Sequence, residues 1–389
     1  MLSGLGPATA TAIDRLANRL CTPSATSGEL RQLRRLFTPA FIQGLERILR
    51  TATGTRAPGP RSPHIEVSLG WIDKIPLAES GLLGGRGGKL ERTELGDAIV
   101  LIVDQQLHAA GAAVITDARA VFLQAKIAWT LKQILSPVVP VGAPSSSTRK
   151  ELALLSSWPT FDLFKASRSR TVRLKSVCLP VGPPERFGWY IAAPKGPLPA
   201  GSGAAWRSWW MAGSPAPGAT CDVSLGELLV GLFEGSAVRG RPVGEAFDYG
   251  PVSLGRSDWS VLCNEVLAIL GEQDAPAWVF GPGKSRLSSL TLRAAVYAAG
   301  LRRKFPRQDL AEMDEMLSFL VVHRLRMLPD WLAQRLVSIG SPASPDWSAL
   351  MNLLWHNSIV AWEDGRRRNA LGKFAVLQVT VTRPPEGLD

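Results

Sequence analysis

Between Ala98 and Val103 the chain is apolar without a break, Ala-Ile-Val-Leu-Ile-Val. A run of that kind predicts a strand covered on both faces. The stretch "ARAVFLQAK" is apolar up to Gln124, and "HAAGAAV" between the two supplies a turn. Residues 94–126 therefore read as an antiparallel hairpin. Upstream, "SGELRQLRRLFTPAFIQGLERILRTA" sets Leu, Phe and Ile at helical spacing, and Pro39 divides it into two helices. "HIEVSLGWIDKIP" predicts a strand ahead of the hairpin. "IAWTLKQILS" predicts a short amphipathic helix running directly on from Lys126. "ELALLSSWPTFDLF" reads as a helix before its proline, and "SRTVRLKSVCLPV" and "RFGWYIAAP" read as strands.

After the Gly- and Pro-rich stretch "KGPLPAGSGAAWRSWWMAGSPAPGAT" the pattern turns mostly helical. Near the end, "KFAVLQVTVTRP" predicts one strand, which must pair with something earlier. The order of elements implies a mixed α/β core with a small mixed sheet flanked by helices. At 389 residues more than one domain is expected. The pattern divides into a basic helical segment packing on the core (1–62), the α/β core (63–215) and a mostly α-helical C-terminal domain (216–389). No internal repeat is visible.

Composition narrows the function. No apolar run approaches the roughly 18 residues of a membrane span. The N-terminus lacks a basic start followed by an apolar block, so the cytoplasm is the expected compartment. Cys21, Cys178, Cys221 and Cys263 lie far apart, as do His64, His108, His323 and His356. That spacing gives no support to a zinc site or a His-based nucleophilic triad.

The net charge of +11 and the pI near 9.9 point to polyanionic partners, nucleic acid or anionic lipid. Residues 1–62 carry nine arginines against three acids. Lys165, Arg168, Arg170, Arg173 and Lys175 form an acid-free run suited to a phosphate backbone, or to blunting an edge strand. Arg86 and Lys89 sit in the glycine-rich loop "GLLGGRGGK", just before the hairpin, where they could touch substrate. Trp206, Trp209 and Trp210 near Arg207 could stack bases, although core packing serves as well. "WVFGPGKSR" is not a phosphate loop, because Trp278 stands where the pattern needs glycine.

The hairpin also carries chemistry. In an antiparallel pair the facing residue numbers have a constant sum. A turn at Ala110-Gly111 sets Asp97 opposite Gln124, and a period of two puts Lys126 on the same face. Burying such groups in an apolar sheet is costly unless something satisfies them. A carboxylate, an amide oxygen and the main-chain carbonyl of Ala125 are hard ligands suited to Mg2+. Lys126 could then orient water or stabilise charge on a phosphate. The alternative is a solvated strand end with Asp97 in a turn.

An aspartate opening one strand, followed after a hairpin by Gln-x-Lys, resembles the PD-(D/E)xK nuclease superfamily, and within it the QxK variants such as the Mrr-like restriction endonucleases. Gly96 stands where the common motif has proline, and Gln124 where it has Glu or Asp. The likeness spans roughly residues 40–190 and implies a restriction-endonuclease-like core. It also implies phosphodiester hydrolysis with Mg2+ or Mn2+, DNA as the preferred substrate, and a setting in restriction, repair or anti-phage defence within a multi-protein system. Asp97, Gln124 and Ala125 would hold metal and Lys126 would be the catalytic lysine. An acid from the preceding helix would complete the set; Glu46 is the candidate, with Glu94 and Glu66 as rivals. Against this stands a non-catalytic basic adaptor binding nucleic acid or a partner protein, or a second copy of itself, through the helical half.

Overall fold

The computed structural model describes residues 1–21, 28–55, 63–72, 75–83, 90–108, 113–166, 169–196, 198, 202–250, 256–271, 278–280 and 373–385. Three helices come first: α1 (Gly6–Leu20), α2 (Glu29–Leu36) and α3 (Pro39–Ala52). The Pro39 break falls as the sequence predicts. Pro39 sits in the first turn of α3, where its missing N–H costs nothing, and the Thr38 hydroxyl accepts from Phe41 N at 3.2 Å. Strands β1 (His64–Ile72), β2 (Leu77–Ser80), β3 (Glu91–Glu94), β4 (Ala98–Leu107) and β5 (Ala113–Ala128) follow. Next come α4 (Leu131–Leu135), α5 (Ser147–Ser157), β6 (Phe161–Phe164), β7 (Val172–Val177), β8 (Gly188–Pro194), β9 (Met211–Gly213) and β10 (Val223–Ser224). The described chain closes with α6 (Leu225–Glu234), β11 (Glu245–Ala246), α7 (Asp258–Gly271), β12 (Trp278–Phe280) and β13 (Phe374–Arg383).

The central sheet has the order β10-β9-β8-β5-β4-β13-β1-β12, with β11 also paired to β5. It is mixed: β5 runs antiparallel to β4 and parallel to β8, and β13 runs parallel to β4 and antiparallel to β1. A second, antiparallel sheet has the order β3-β2-β6-β7. The central sheet is thus large, not the small one that the pattern suggests. Its growth comes from short pairings at one edge and from β13, which lies between β1 and β4. The lone late strand finds two partners rather than one, and every core-facing position from Phe374 to Val381 is buried accordingly.

Alternation along the strands sorts side chains into two cores. Val121, Leu123, Ala125 and Ile127 of β5 face a core shared with α1, α2, α3 and α6. Phe122 and Ala128 face the other, shared with α5, α7 and the second sheet. On β4 the same division puts Ile99 and Leu101 with Phe122. Elements beyond the boundary drawn at 215, namely α6, α7 and β13, join these same cores. The helices read from sequence between 287 and 364, and the basic turn at 363–373 up to Gly372, lie outside the described residues.

Phe122 holds the second core together. Its ring is fully buried and meets Trp259 edge-on at 5.7 Å, Trp158 at 6.0 Å and Phe374 at 6.2 Å. These neighbours come from α7, the end of α5 and β13, so one side chain joins distant parts of the chain. Phe122→Ala is expected to lower the free energy of unfolding by about 3–5 kcal/mol, read from urea unfolding followed by circular dichroism. A loss below about 1 kcal/mol would contradict this account of the core.

Candidate active site

The hairpin register places the polar residues. Ala98 faces Leu123, Ile99 faces Phe122, and the same register continues to Asp104 opposite Asp117. A bulge between Asp104 and Gln105 then shifts it by one residue. The base of the hairpin therefore has the register that a turn at Ala110-Gly111 demands, although residues 109–112 lie outside the described residues. Gly96 leads into Asp97 with its backbone close against β5. A Cβ there would stand 3.1 Å from the Leu123 carbonyl oxygen, which accounts for glycine at that position.

Asp97, Gln124 and Lys126 are all buried, at 3%, 0% and 8% exposure. The Asp97 carboxylate accepts from Gln124 Nε2 at 2.6 Å and from the Ala125 main-chain N–H at 2.7 Å, both through Oδ2. Lys126 Nζ lies 2.9 Å from Glu151 Oε2 and 3.1 Å from Glu29 Oε2. Tyr190 of β8, directly beside Gln124 in the register, completes the group. Besides Glu151 Oε2, which Lys126 meets as an ion pair, two polar atoms here are buried with no hydrogen-bond partner among the described residues: Gln124 Oε1 and the Tyr190 hydroxyl. Buried polar groups rarely stay unsatisfied.

Glu46, the acid expected from the preceding helix, is not brought to this group. Its carboxylate accepts from Val67 N at 3.2 Å and pairs with Arg50 at 2.9 Å. Helix α3 packs on the opposite face of the sheet from Asp97. Glu66 is remote as well: it sits on β1 opposite Thr380, which is level with Val103, six residues along β4 from Asp97. The acids that do surround Lys126 come from the first turn of α2 (Glu29), from α5 (Glu151) and from the end of β3 (Glu94). Glu151 was legible in principle. It shares a helical stripe with Leu154, Leu155 and Trp158, an odd place for an acid unless a cation meets it.

The expected helix running on from Lys126 starts later. β5 stays extended through Ala128 because it keeps pairing with β8 as far as Pro194, and α4 covers only Leu131–Leu135. Of the cations assigned to nucleic acid, Arg173 pairs with Glu265 of α7 at 2.5 Å. Arg170 and Lys175 are exposed, and Lys165 is half-buried. Arg86, Lys89 and Arg168 lie outside the described residues. Trp206, Trp209 and Trp210 are buried and serve the cores.

Four carboxylates share one amine, and the charges shift accordingly. Burial pushes Asp97 well above the usual carboxylate range; Lys126 and the Ala125 N–H oppose it, while Glu94 and Glu29 add to it. Burial also raises Glu94, to about 7, helped by Glu151 and Glu29 and opposed by Lys126 and Lys373. For Lys126 burial alone would favour the neutral amine, but Glu151, Glu29 and Asp97 outweigh it and hold the ammonium firmly charged. Tyr190 is raised by burial and by the same carboxylates, so its phenol stays protonated. Among the described residues no three His, Cys, Asp or Glu side chains converge as a ready-made metal cage. A site of one carboxylate, one amide oxygen and one main-chain carbonyl does not need such a trio. Gln124 presents Nε2 to Asp97, so its unpartnered Oε1 joins that donor set when the amide is turned over.

No protein-family model, curated protein or solved structure matches the chain. No helix among the described residues is long and apolar enough to cross a membrane.

Two outcomes test the electrostatics. Glu94 has a folded pKa of about 7 against an ordinary 4.5, so the folded state binds its proton more tightly. Its contribution to stability is present below about 4.5 and is lost as pH rises through about 7. Urea unfolding from pH 5 to 8 should show stability declining across that window, with a shallower decline in Glu94→Gln; equal slopes would contradict the shift. Lys126→Met should cost about 3–5 kcal/mol at pH 7, because it strands the buried Glu151. Adding Glu151→Gln should recover part of that loss.

Proposed function

We propose that the chain is a metal-dependent phosphodiester hydrolase of nucleic acid, DNA in preference, built on a restriction-endonuclease-like core of α3, β1, β4, β5, α5 and β8. One observation carries the reading: Asp97, Gln124 and Ala125 meet at 2.6 and 2.7 Å, with a buried amide oxygen left over, and Lys126 lies on the same face. The succession of helix, strand, hairpin and helix supports it.

The Asp97 carboxylate, Gln124 Oε1 and the Ala125 carbonyl would hold Mg2+ or Mn2+. When bound, the ion supplies Lewis-acid polarisation of a phosphoryl oxygen and a lower pKa for coordinated water. The remaining work falls to the chain. Asp97 must lose its proton to act as a ligand, so its high pKa makes metal uptake tighten as pH rises. Lys126 keeps its charge against burial and offers a fixed ammonium to a phosphate or an attacking water. Glu151 and Glu29 hold that ammonium in place. The Tyr190 phenol stays protonated and can only donate to an anion that enters beside Gln124. Phe122 and the apolar wall behind it exclude water from the far side.

The double ion pair on Lys126 favours a second reading, in which the amine is structural and the chain is a basic, non-catalytic adaptor for nucleic acid or a partner protein.

The test is cleavage of plasmid and of RNA in Mg2+ or Mn2+ by wild type, Asp97→Ala and Lys126→Ala. Wild type should nick plasmid, with each variant at least about a hundredfold slower. Equal rates for all three would remove the site assignment. No cleavage by wild type in either metal would favour the adaptor.

A further inference from the structure

Just beyond Lys126 the surface changes character. β5 ends at Ala128, and the next residue, Trp129, is 55% exposed. Its ring is nonetheless fixed. Lys195, at the end of the neighbouring β8, sets its Nζ 3.9 Å from the ring centre, and its own N–H donates to the Ala128 carbonyl at 3.1 Å. Because β5 and β8 are parallel, both residues emerge at the carboxyl end of the pair, where open α/β sheets place ligands. The backbone carrying the indole is locked too. Trp129 N and Thr130 N both donate to Gln133 Oε1, at 2.9 and 3.1 Å, and Thr130 Oγ1 caps α4 in return. An aromatic held this way loses little freedom on binding.

The charge around it is one-sided. Residues 127–150 contain Lys132, Arg149 and Lys150 and no acid; residues 186–221 contain Arg186, Lys195 and Arg207 and no acid. Lys150, Arg186 and Arg207 pair with carboxylates elsewhere in the fold. Of the rest, Lys195 lies over the Trp129 ring and Lys132 is exposed three residues along from it. Leu131 and Leu135 beside Trp129 are also exposed, and apolar neighbours alone would suit a protein partner. The cation over the ring and the acid-free surroundings favour a polyanion with flat faces instead.

We infer that Trp129, mounted on Lys195, is a seat for an unpaired base of a nucleic-acid strand. The base stacks on the indole, and Lys195 and Lys132 draw its phosphates. Trp129 lies three residues along from Lys126, roughly 10 Å by strand rise. The choice of nucleic acid rests on the hydrolase reading, but the stacking does not depend on cleavage.

The experiment is fluorescence anisotropy of a fluorescein-labelled 16-nucleotide single strand, and of its duplex, with the full chain in EDTA. Trp129→Ala should weaken single-strand binding by about ten- to a hundredfold, and duplex binding by much less. Trp129→Phe should retain most of the affinity, and Leu135→Ala should match wild type. Lys195→Ala should reduce the salt dependence of single-strand binding by about 0.7 in log–log slope. Wild-type affinity in Trp129→Ala, or no binding of either probe by wild type, overturns the inference. So does unchanged nucleic-acid binding together with a lost self-association in sedimentation, which reassigns the patch to a protein interface. Weakened binding in Trp129→Ala without any cleavage in metal would leave the seat standing and remove only the hydrolase.

Discussion

A buried ammonium organises this molecule. Lys126 sits at the end of a central strand, and an amine there must find carboxylates or give up its proton. It finds Glu151 and Glu29, and the two come from different sides. Helix α5 packs Leu154 and Leu155 into one core, while α2 packs Leu33 and Leu36 into the other. The ion pairs thus tie both layers to the same strand end. Burial raises Asp97, Glu94 and Tyr190 first, and the surrounding carboxylates add to each shift.

The second constraint is topological. β13 enters between β1 and β4, so the sheet cannot close until residues 374–383 arrive. Its register is set by pairs at its far end, where Arg383 reaches the buried Asp104 at 2.7 Å and Gln105 Nε2 donates to Thr382 at 2.7 Å. Asp104 is held below the usual carboxylate range because Arg383 and the amine of Met1 outweigh its burial. The hairpin bearing the site is therefore supported on one side by the last strand and on the other by β8. A site made from residues 97–126 depends on contacts made more than two hundred residues later.

Much of the site could be read from sequence because strands have a short, strict period. Two apolar runs and a glycine turn suffice to bring Asp97 level with Gln124, and the bulge after Asp104 lies too far up the hairpin to disturb them. The helices were harder to use. Periodicity shows that Glu46 lies on a helix but not which side of the sheet that helix covers, and α3 covers the side away from Asp97. Glu29 stands at an ordinary helical position and Glu151 on an apolar stripe, and only the fold shows that both point at one amine. β2 and β3, four residues each, are too short to carry a periodic signal. The fate of β13 was half legible: a strand in sequence, but with partners that no local pattern names.

The arrangement of charge bears on how such a site can work. The buried pocket holds four carboxylates around one ammonium, whereas the exposed segments leaving β5 and β8 hold cations and no acid. A phosphate is attracted to the rim and repelled by the pocket as long as the carboxylates are charged. Protons on Asp97 and Glu94 relieve that repulsion at low pH, at the cost of the ligand oxygens a metal would need. Under the hydrolase reading a divalent ion would relieve it while keeping those oxygens. On that reading the acid-rich pocket is then a gate on charge: polyanion binding at the rim does not depend on metal, and entry of a phosphate beside Lys126 does.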